Sequence, residues 1–398
     1  MLQRKVKIVN EIVFFRRYDD GMDEKLYYLP FSVFPGIGPK HFTQLLAYFK
    51  SAKTVWEASP EELKKAHLGE ITTEKFVAFR NAFSIEQYLD QLEKAQVWFV
   101  TIGEGDYPAL LKEISNPPFV LYGKGNKQLL SMPANLTSTP LLKGEDDREK
   151  ASFIGIVGTR KVTSYGRQVT EQFTRDLVCA GCTIVSGLAL GVDAIAHQTT
   201  LDEGGKTIAV LGCGVDVCYP SSNGRIYQQI VEKDGAVVSE YPLHMPPSVG
   251  SFPSRNRIIA GLSRVLLVTE GAEDSGALIT AKDTRALGRV VFAIPGPITS
   301  SLSKGTNLLI NQGAKVALRA EDILGELGVE KPKSRQADRA IGKTVEEQRV
   351  IDMLLLESMS LDELVRNTKL SVSTVSLCLS SLEMAGVIRE SYGRYQLV

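Results

Sequence analysis

The sequence predicts a doubly wound α/β fold with a parallel sheet for its central part, residues 153–318. Six short apolar runs recur there, and most of them end in glycine: FIGIVG, CTIVSG, TIAVLG, AVVSEY, RVLLVTEG and VVFAIPG. Helical segments separate several of these runs, and in SYGRQVTEQFTRDLVCAG the apolar residues Val169, Phe173 and Leu177 recur at every fourth position. Strands that are apolar along their whole length and alternate with helices form a parallel sheet covered on both faces.

The composition limits the class of protein. The chain has 398 residues, of which 43% are hydrophobic and 23% charged, and this fits a globular protein of about two to four domains. Lys+Arg and Asp+Glu are equal at 46 each, so a polyanion would have to bind a local basic patch. No signal-peptide core follows the basic N-terminus, and no apolar run is long enough to span a membrane. We therefore expect a cytoplasmic protein with no membrane contact.

The N-terminal part predicts a small helical domain over residues 29–91, preceded by an extension over residues 1–28. Gly36-Ile37-Gly38-Pro39 is typical of a tight turn between two helices, and the second helix has an apolar face at Leu45, Leu46 and Phe49. This pattern resembles a helix-hairpin-helix (SAM-like) element, whose glycine turn exposes N–H groups that can bind phosphate. A packing or interaction module fits the same residues.

Residues 92–320 are assigned to the central domain. Before the first core strand, residues 97–125 predict a strand, a turn, a short helix and a second strand. Residues 131–150 are polar and aperiodic, which is typical of a surface insertion. Residues 321–342 are charged and contain Gly, Pro and Ser, so we interpret them as a linker.

Residues 343–398 predict a winged-helix (helix-turn-helix) domain. Thr344-x-x-Glu347 and Ser360-x-x-Glu363 are capping-box patterns that open two helices, and a third helix runs from about Ser373 to Ala385 and stops at Gly386. VIRESYGRYQLV then predicts a hairpin. The third helix contains no Lys or Arg, and the domain has 6 basic against 8 acidic residues. A duplex reader needs positive charge, so we expect a weak DNA contact or a protein-interaction module.

The candidate binding residues lie in loops that follow the strands, because ligands of open parallel sheets bind at the carboxyl ends of the strands. Glycine lets the backbone approach an oxyanion closely, and small hydroxyl residues add donors. Several such loops at one sheet edge predict a phosphate-binding rim. The loops are Gly158-Thr159-Arg160, Ser186-Gly187, Gly212-Cys213-Gly214 and, at the start of a helix, Ser275-Gly276.

Residues 151–320 have 16 basic against 13 acidic residues, which is a small excess of positive charge. The basic side chains would therefore have to cluster beside these loops in order to bind a polyanion. Arginine pairs with phosphate through two parallel bonds, and an aromatic ring can stack on a base. Each of these roles has an alternative. The ring would otherwise pack in the core, and the arginines would brace the loops against Glu240 or Glu270. The residues from 282 onward would lie on a solvated helix face. The candidates are Arg160, Phe252, Arg255, Asn256 and Arg257, with Lys282, Arg285 and Arg289 predicted on one helix face.

Several classes of site are excluded by what the motifs lack. GIVGTR has no third glycine and no acidic residue on the next strand, so a dinucleotide cofactor is not expected, and no P-loop motif occurs. The pair Cys179 and Cys182 has no second pair to complete a zinc site. Asp193 is expected to orient its helix, and His197 is expected to be structural. We therefore predict no catalytic residues, no cofactor and no metal.

The ordered motifs GIVGTRKVTSYG, IVSGLALGVDAIAH, VLGCGVDVCYPSSN, SEYP, FPSRNRIIAGLS, DSGALITA and GRVVFAIPGP carry a family resemblance. Over residues 30–125 and 151–320, and more loosely over 343–398, the sequence resembles the DNA-processing protein A (DprA/Smf) family. The resemblance implies an extended Rossmann domain that binds single-stranded DNA without sequence preference. It also implies a homodimer that loads the RecA recombinase in natural transformation. The strand would lie on Arg160, Phe252, Arg255, Asn256, Arg257 and the two Ser-Gly loops.

The alternative is an enzyme, because nucleoside-monophosphate phosphoribohydrolases have a similar extended Rossmann fold. That group is expected to have a Pro-Gly-Gly-x-Gly-Thr loop with a nearby glutamate. The corresponding loop here reads GAEDSGALIT, and the acids near it are Glu270 and Glu273. The reduced glycine content favours the binding protein over the nucleotide-cleaving enzyme.

Overall fold

The computed structural model describes residues 23–130, 152–329, 342, 344–355, 358–391 and 393–397. The predictions for residues 1–22 and for the insertion at 131–150 lie outside the described residues. The chain divides into two compact units, residues 1–329 and 330–398. None of the described helices is long and apolar enough to cross a bilayer.

The first unit begins with helices packed around a core of aromatic rings. The ring of Phe31 lies 4.9 Å from that of Phe42 and 5.3 Å from that of Phe76, stacked on the latter. The predicted Gly-Ile-Gly-Pro turn joins the first two α-helices. Pro39 occupies the first turn of the second one, where its missing N–H breaks no helical hydrogen bond. A 3₁₀ turn at Glu24–Tyr27 precedes the first helix, so the helical part starts before the expected residue 29. The helices are α1 (Tyr28–Val33), α2 (Pro39–Phe49), α3 (Ala52–Glu57), α4 (Pro60–Lys65), α5 (Glu70–Ala82) and α6 (Ile85–Lys94).

A sheet of nine described strands follows, in the order β1-β2-β6-β5-β4-β3-β7-β8-β9. Strands β3 to β9 are parallel, as the uninterrupted apolar runs predict, whereas β1 and β2 extend the sheet antiparallel beyond β6. The strands are β1 (Trp98–Thr101), β2 (Val120–Gly125), β3 (Phe153–Val157), β4 (Thr183–Ser186), β5 (Thr207–Val210), β6 (Ala236–Ser239), β7 (Val265–Val268), β8 (Val290–Ala293) and β9 (Lys315–Val316).

Helices cover both faces of this sheet, which confirms the doubly wound architecture. One core packs Leu111, Ile258 and Leu262 against the sheet, and the core on the other face contains Phe173 and Leu177. The helices are α7 (Ala109–Lys112), α8 (Ser164–Cys179), α9 (Val192–Asp202), α10 (Gly224–Glu232), α11 (Ser251–Leu262), α12 (Gly276–Ala286), α13 (Lys304–Asn311) and α14 (Ala320–Leu327).

Two features differ from the expectations. SFPSRNRIIAGL, for which no element was predicted, forms helix α11, and its apolar residues face the sheet. The linker prediction is wrong for its first part, because residues 320–327 form α14. Ile323, Leu324 and Leu327 recur at helical spacing among the charges and are buried in the core shared with α8.

The second unit is a winged-helix domain with its own apolar core. At Ser360 the capping box is complete, since Glu363 N donates to Ser360 Oγ and Ser360 N donates to Glu363 Oε2 at 2.8 Å. Thr344 Oγ1 likewise accepts from the backbone N–H of Glu347. The elements are α15 (Val345–Leu354), α16 (Leu361–Thr368), α17 (Val372–Met384) and the antiparallel hairpin β10 (Ile388–Ser391) and β11 (Arg394–Leu397).

Candidate nucleic-acid interface

A pocket lies where the loops after β3, β4 and β5 meet the first turn of α11. This is the carboxyl edge of the parallel sheet, where ligands of open α/β sheets bind. The pocket brings Arg160, Gly187, Gly212 and Cys213 of the three predicted strand-end loops together with the predicted Phe252 and Arg255. Its lining is Arg160, Gly187, Ala189, Leu190, Gly212, Cys213, Tyr219, Pro220, Phe252 and Arg255.

Two side chains of this pocket contact the Phe252 ring, and we call the three together the Arg160–Phe252–Tyr219 layer. The Arg160 guanidinium carbon lies 5.4 Å from the centre of the Phe252 ring, within cation–π range. The Tyr219 ring lies 5.5 Å from the Phe252 ring, tilted by 34°. Arg160 is exposed, Phe252 is half-buried and Tyr219 is 46% exposed. The layer therefore offers solvent a cation and aromatic surface side by side.

Arg160 is held in place through the backbone of its loop. Thr159 N donates to the carbonyl oxygen of Glu270 at 2.7 Å. The buried carboxylate of Glu270 accepts from Thr163 N at 2.9 Å and from Thr163 Oγ1 at 2.6 Å. A Cβ on Gly166 would lie 2.2 Å from Glu270 Oε2, so only glycine fits there. Glu270 thus fixes the loop and is not poised as an acid.

The loop after β4 closes against the same backbone. Val192 N donates to Thr159 O at 3.1 Å. Gly191 has φ +76°, and a Cβ there would lie 2.3 Å from Thr159 O. Glycine is needed at this position both for its backbone conformation and for the close approach. The loops after β3 and β4 are therefore held together by a backbone hydrogen bond and by close backbone packing.

Arg255 is a buried brace rather than a surface cation. It is 5% exposed, and its Nη1 donates to the carbonyls of Val210, at 2.6 Å, and Gly187. A Cβ on Gly187 would lie 2.4 Å from the guanidinium carbon, so this glycine makes room for the arginine. Of the roles left open for Arg255, the contacts favour bracing of the loops after β4 and β5.

Asp193 supports the same loop from the other side. Its Oδ2 accepts from Gly187 N at 3.1 Å and from Ala189 N at 3.3 Å. Burial raises the pKa of the Asp193 carboxyl, and the nearby Arg255 partly offsets that rise. Asn223 completes the frame, since its Nδ2 donates to Leu188 O at 2.9 Å.

His197, expected to be structural, lies behind this frame. It is fully buried on α9, and its Nδ1 is 2.7 Å from Thr207 Oγ1. Burial lowers the pKa of the imidazole to about 3, so the ring is neutral at ordinary pH. Together with Asp193, it serves the frame of the loops and does not line the pocket.

Other predicted residues lie outside the pocket lining. Arg257 pairs with Glu240, both partly buried. Ser186 Oγ is buried and donates to Ile156 O at 2.6 Å, so it offers no donor to a ligand. Asn256 Nδ2 donates to Gly276 O at 3.3 Å, which ties α11 to the start of α12.

Helix α12 begins as expected but ends earlier. Ser275 caps it by accepting from Ala277 N at 3.3 Å, and Lys282 is exposed on its surface. The prediction that Arg289 shares this helix face is wrong, because α12 ends at Ala286 and Gly288 is left-handed with φ +71°. Arg289 instead donates to the last carbonyls of α11, Ala260 O and Gly261 O among them.

Sequence reasoning missed Tyr219 and Leu190. Tyr219 precedes Pro220 in the loop after the third glycine run, and an exposed aromatic at that sheet edge is a signal that could have been used. Leu190 is 46% exposed in the loop after β4 and had no distinguishing chemistry in the sequence. In the described residues, no group of His, Cys, Asp and Glu is placed to hold a metal ion.

Comparison with known proteins gives matches in both units. Residues 135–328 match a family model described as DNA recombination-mediator protein A, and residues 332–394 match one described as the DprA winged helix domain. Protein Smf of Synechocystis is 34% identical over 94% of this chain and 98% of its own length. The DNA processing protein DprA of Bacillus subtilis is 36% identical over 68% of this chain and 88% of its length.

A solved structure agrees with these matches. The X-ray structure of DprA from Streptococcus pneumoniae has a TM-score of 0.62 and 33% identity, and it covers 77% of this chain and 98% of that one. The resemblance seen in the sequence motifs is confirmed over nearly the whole length of a relative. The chain therefore belongs to the DprA/Smf family of DNA-processing proteins.

Proposed function

We propose that the chain binds single-stranded DNA without sequence preference, and without catalysis, across the Arg160–Phe252–Tyr219 layer. The observation that carries the proposal is the exposed guanidinium of Arg160 lying on the Phe252 ring at a glycine-lined sheet edge. Stacking on an aromatic ring tolerates every base, and a nearby arginine holds the backbone phosphate. The two kinds of contact together fit a strand of any sequence.

The chemistry of the pocket lining supports binding that ignores sequence. Base edges are read by Arg or Lys at guanine and by Asn, Gln, Asp or Glu at the other bases. None of the ten residues that line the described pocket is Asn, Gln, Asp, Glu or Lys, and of its two arginines Arg160 lies over the Phe252 ring. Arg255, which has the geometry for paired bonds to a guanine, is occupied by backbone carbonyls.

The same lining speaks against the nucleotide-cleaving alternative. Of the acids near the pocket, Glu270 is buried and bonded to Thr163, and Asp193 is buried and bonded to backbone N–H groups. Neither is positioned as a free general acid or base. Incubation with nucleoside monophosphates should release no free base, and release above the background of buffer alone would contradict this part of the proposal.

The test is a salt-titrated binding assay with oligo-dT. Arg160→Ala should weaken binding by about tenfold at moderate salt and reduce the salt slope by about 0.7, the value for one lost phosphate contact on a single strand. Phe252→Ala should weaken binding by about 1–3 kcal/mol with little change of slope. Arg167→Ala, an exposed arginine on α8 paired with Glu171, is the matched control. Parent-like affinity in both pocket variants would overturn the site.

A homodimer and the loading of RecA belong to the same proposal and are supported by the family resemblance. The dimer is tested by light scattering of the full chain at micromolar concentration. RecA loading is tested by following RecA filament growth on oligo-dT with and without the protein. Arg160→Ala should lose the stimulation if loading depends on the bound strand. A monomer in the first measurement, or unchanged filament growth in the second, would contradict the corresponding part.

A further inference from the structure

The loop after β5 carries two thiols at the sheet-edge pocket. Cys213 lines the pocket and is buried, and Cys218 is half-buried five positions later. Both pack in the same small apolar cluster, together with Leu211 and Ile230. Neither thiol belongs to the layer that carries the proposed DNA contacts, so their chemistry is not used by the binding of a strand.

A tight turn brings the two cysteines together. Val217 N donates to Gly214 O at 2.9 Å, which closes a four-residue β-turn between them. Across this turn, Cys213 Sγ donates to Val217 O at 3.1 Å. A carbonyl oxygen lies about 2.8 Å from the Cα atom of the following residue, so Cys213 Sγ is within about 6 Å of the Cα atom of Cys218. Rotation of the two side chains therefore suffices to bring the sulfurs to bonding distance.

The ionisation of Cys213 reflects the same proximity. Burial is the main cause that raises the pKa of its thiol to about 11. A negative charge on Cys218 adds to this rise, and Arg255 partly offsets it. Burial also raises the pKa of the Cys218 thiol. Both thiols are therefore protonated at neutral pH, and the half-buried Cys218 is the one that a reagent reaches first.

From this geometry we propose that Cys213 and Cys218 form a reversible disulfide by exchange with a low-molecular-weight disulfide, and that the bond weakens DNA binding at the pocket. The thiolate of Cys218 attacks one sulfur of the reagent, forms a mixed disulfide and releases the first reagent thiol. The thiolate of Cys213 then attacks Cys218 Sγ and releases the second. The two cysteines are oxidised, the reagent is reduced, and two protons pass from the protein thiols to the reagent thiols.

The effect on DNA follows from the position of Tyr219, and this part rests on the proposed function. Tyr219 follows Cys218 directly, and its ring lies 5.5 Å from that of Phe252. In the reduced loop, Cys218 Sγ donates to Pro220 O at 3.6 Å. When Cys218 turns toward Cys213 it loses this contact, and the backbone on either side of Tyr219 moves with it. Oxidation should therefore lower the affinity for oligo-dT about fivefold, the lower end of the range for one lost stacking contact.

The first test is peptide mapping of the full chain after incubation with oxidised glutathione. Trypsin cuts after Lys206 and after Arg225, so Cys213 and Cys218 are the two cysteines of one peptide, residues 207–225. The peptide is alkylated without prior reduction. It should be found mainly in a form that has lost two hydrogens and carries no alkyl group, and treatment with a reducing agent should restore both thiols.

The same chain supplies a matched control. Cys179 and Cys182 are closer in sequence and share the tryptic peptide 176–206. Cys179 is exposed at the end of α8, whereas Cys182 is buried in the core beneath that helix. This peptide should therefore carry glutathione at Cys179 instead of an internal disulfide.

The second test compares oligo-dT binding at one salt concentration. The oxidised chain should bind about fivefold more weakly than the reduced chain, and reduction should restore the affinity. Cys218→Ser, which cannot form the bond, should match the reduced chain both before and after incubation with oxidised glutathione. An equal loss of affinity in Cys218→Ser would show that another thiol is responsible and would overturn the proposal.

The two tests separate the possible failures. A 207–225 peptide that is alkylated twice, or that keeps glutathione on Cys218 without an internal bond, would overturn the proposal whatever the chain does with DNA. Formation of the bond with equal affinities of the oxidised and reduced chains would overturn the effect on DNA and leave the proposed function intact. A reduced chain that fails to bind oligo-dT would overturn the proposed function and the effect on DNA, while the peptide map would still decide whether the bond forms.

Discussion

The sheet-edge pocket lies where open α/β sheets bind ligands, and helix α17 corresponds to the helix that enters the major groove in helix-turn-helix proteins. The exposed side of α17, formed by Ser373, Leu377, Ser380 and Met384 and called here the α17 outer face, differs in chemistry from the pocket. The pocket displays an exposed arginine on an aromatic ring, held by glycine loops and buried polar groups. The α17 face displays leucine, methionine and serine with no basic side chain. This difference shows that a fold determines where a binding surface lies, whereas the residues on that surface determine what it binds.

The largest effect is expected from removing the buried brace of the pocket. Arg255→Ala should lower the free energy of unfolding by about 3 kcal/mol, because it leaves buried carbonyls without a donor and Asp193 without its nearby cation. Oligo-dT affinity should fall with it. Urea unfolding measures the stability, and Arg225→Ala, on the exposed surface of α10, serves as the control. A fully stable Arg255→Ala that lost binding would mean that Arg255 contacts the ligand directly.

A second prediction concerns giving the α17 outer face the positive charge that the pocket has. Ser373→Lys combined with Ser380→Lys gives the α17 outer face two cations. Duplex DNA binding by the full chain should become more salt-dependent, with a slope increase of about 0.9 for each lysine that reaches a phosphate. The matched double change to glutamine should leave the slope alone. If the lysines leave it unchanged too, charge is not what separates α17 from a DNA-reading helix.

The third prediction concerns the acid sensitivity of the frame behind the pocket. The pKa of His197 is lowered by burial to about 3, so the folded state binds fewer protons there than the unfolded state below pH 6.5. Stability supplied by neutral His197 is fully present above pH 6.5 and is lost as the pH falls toward 3. This group contributes up to about 1.4 kcal/mol per pH unit.

Urea unfolding between pH 6.5 and pH 4.5 checks this prediction. His197→Gln, which keeps a polar atom for Thr207, should flatten the pH dependence of the free energy of unfolding relative to the parent. His41→Gln, which changes an exposed histidine of α2, should not flatten it. Equal slopes for the parent and His197→Gln would show that the imidazole titrates normally in the folded chain.

The smallest effect is expected in the winged-helix unit. Ser360→Ala removes the capping box of α16 and should cost about 1 kcal/mol. The loss should appear in the unfolding of the second unit and leave oligo-dT affinity unchanged, since the proposed binding surface lies in the first. Arg349→Ala, at an exposed position of α15, is the neutral comparison. A drop in oligo-dT affinity for Ser360→Ala would show that the two regions are coupled.

The sequence predicted the sheet well because its signal is local. Apolar runs of strand length, most of them ending in glycine, identified β3 to β8, and a capping pattern located α16. The prediction of a linker was wrong for its first part because it was based on the charged composition of the segment. Three apolar residues at helical spacing among those charges were given too little weight. Ile323, Leu324 and Leu327 acquire their role only through packing against α8.

The site was harder to predict because residues of the same type, here arginine, have different surroundings in the folded chain. Arg160 and Arg255 look alike in sequence, yet one is exposed and the other is bonded to carbonyls of residues 45 and 68 positions away along the chain. Tyr219 joins Phe252 from a loop more than thirty residues earlier. No spacing rule reports contacts of this kind, so the sequence predicted which loops meet at the sheet edge but not which arginine is exposed and which is a buried brace.

The contact between Arg160 and Phe252 has one more consequence, for the order of events on binding. The guanidinium covers part of the ring in the free protein, so a base that stacks on that part has to displace it. We expect binding to be an exchange in which an internal cation leaves the ring as the base arrives and becomes available to the adjoining phosphate. The free protein would then shield its aromatic face from other flat molecules until an oligomer brings a base and a phosphate together.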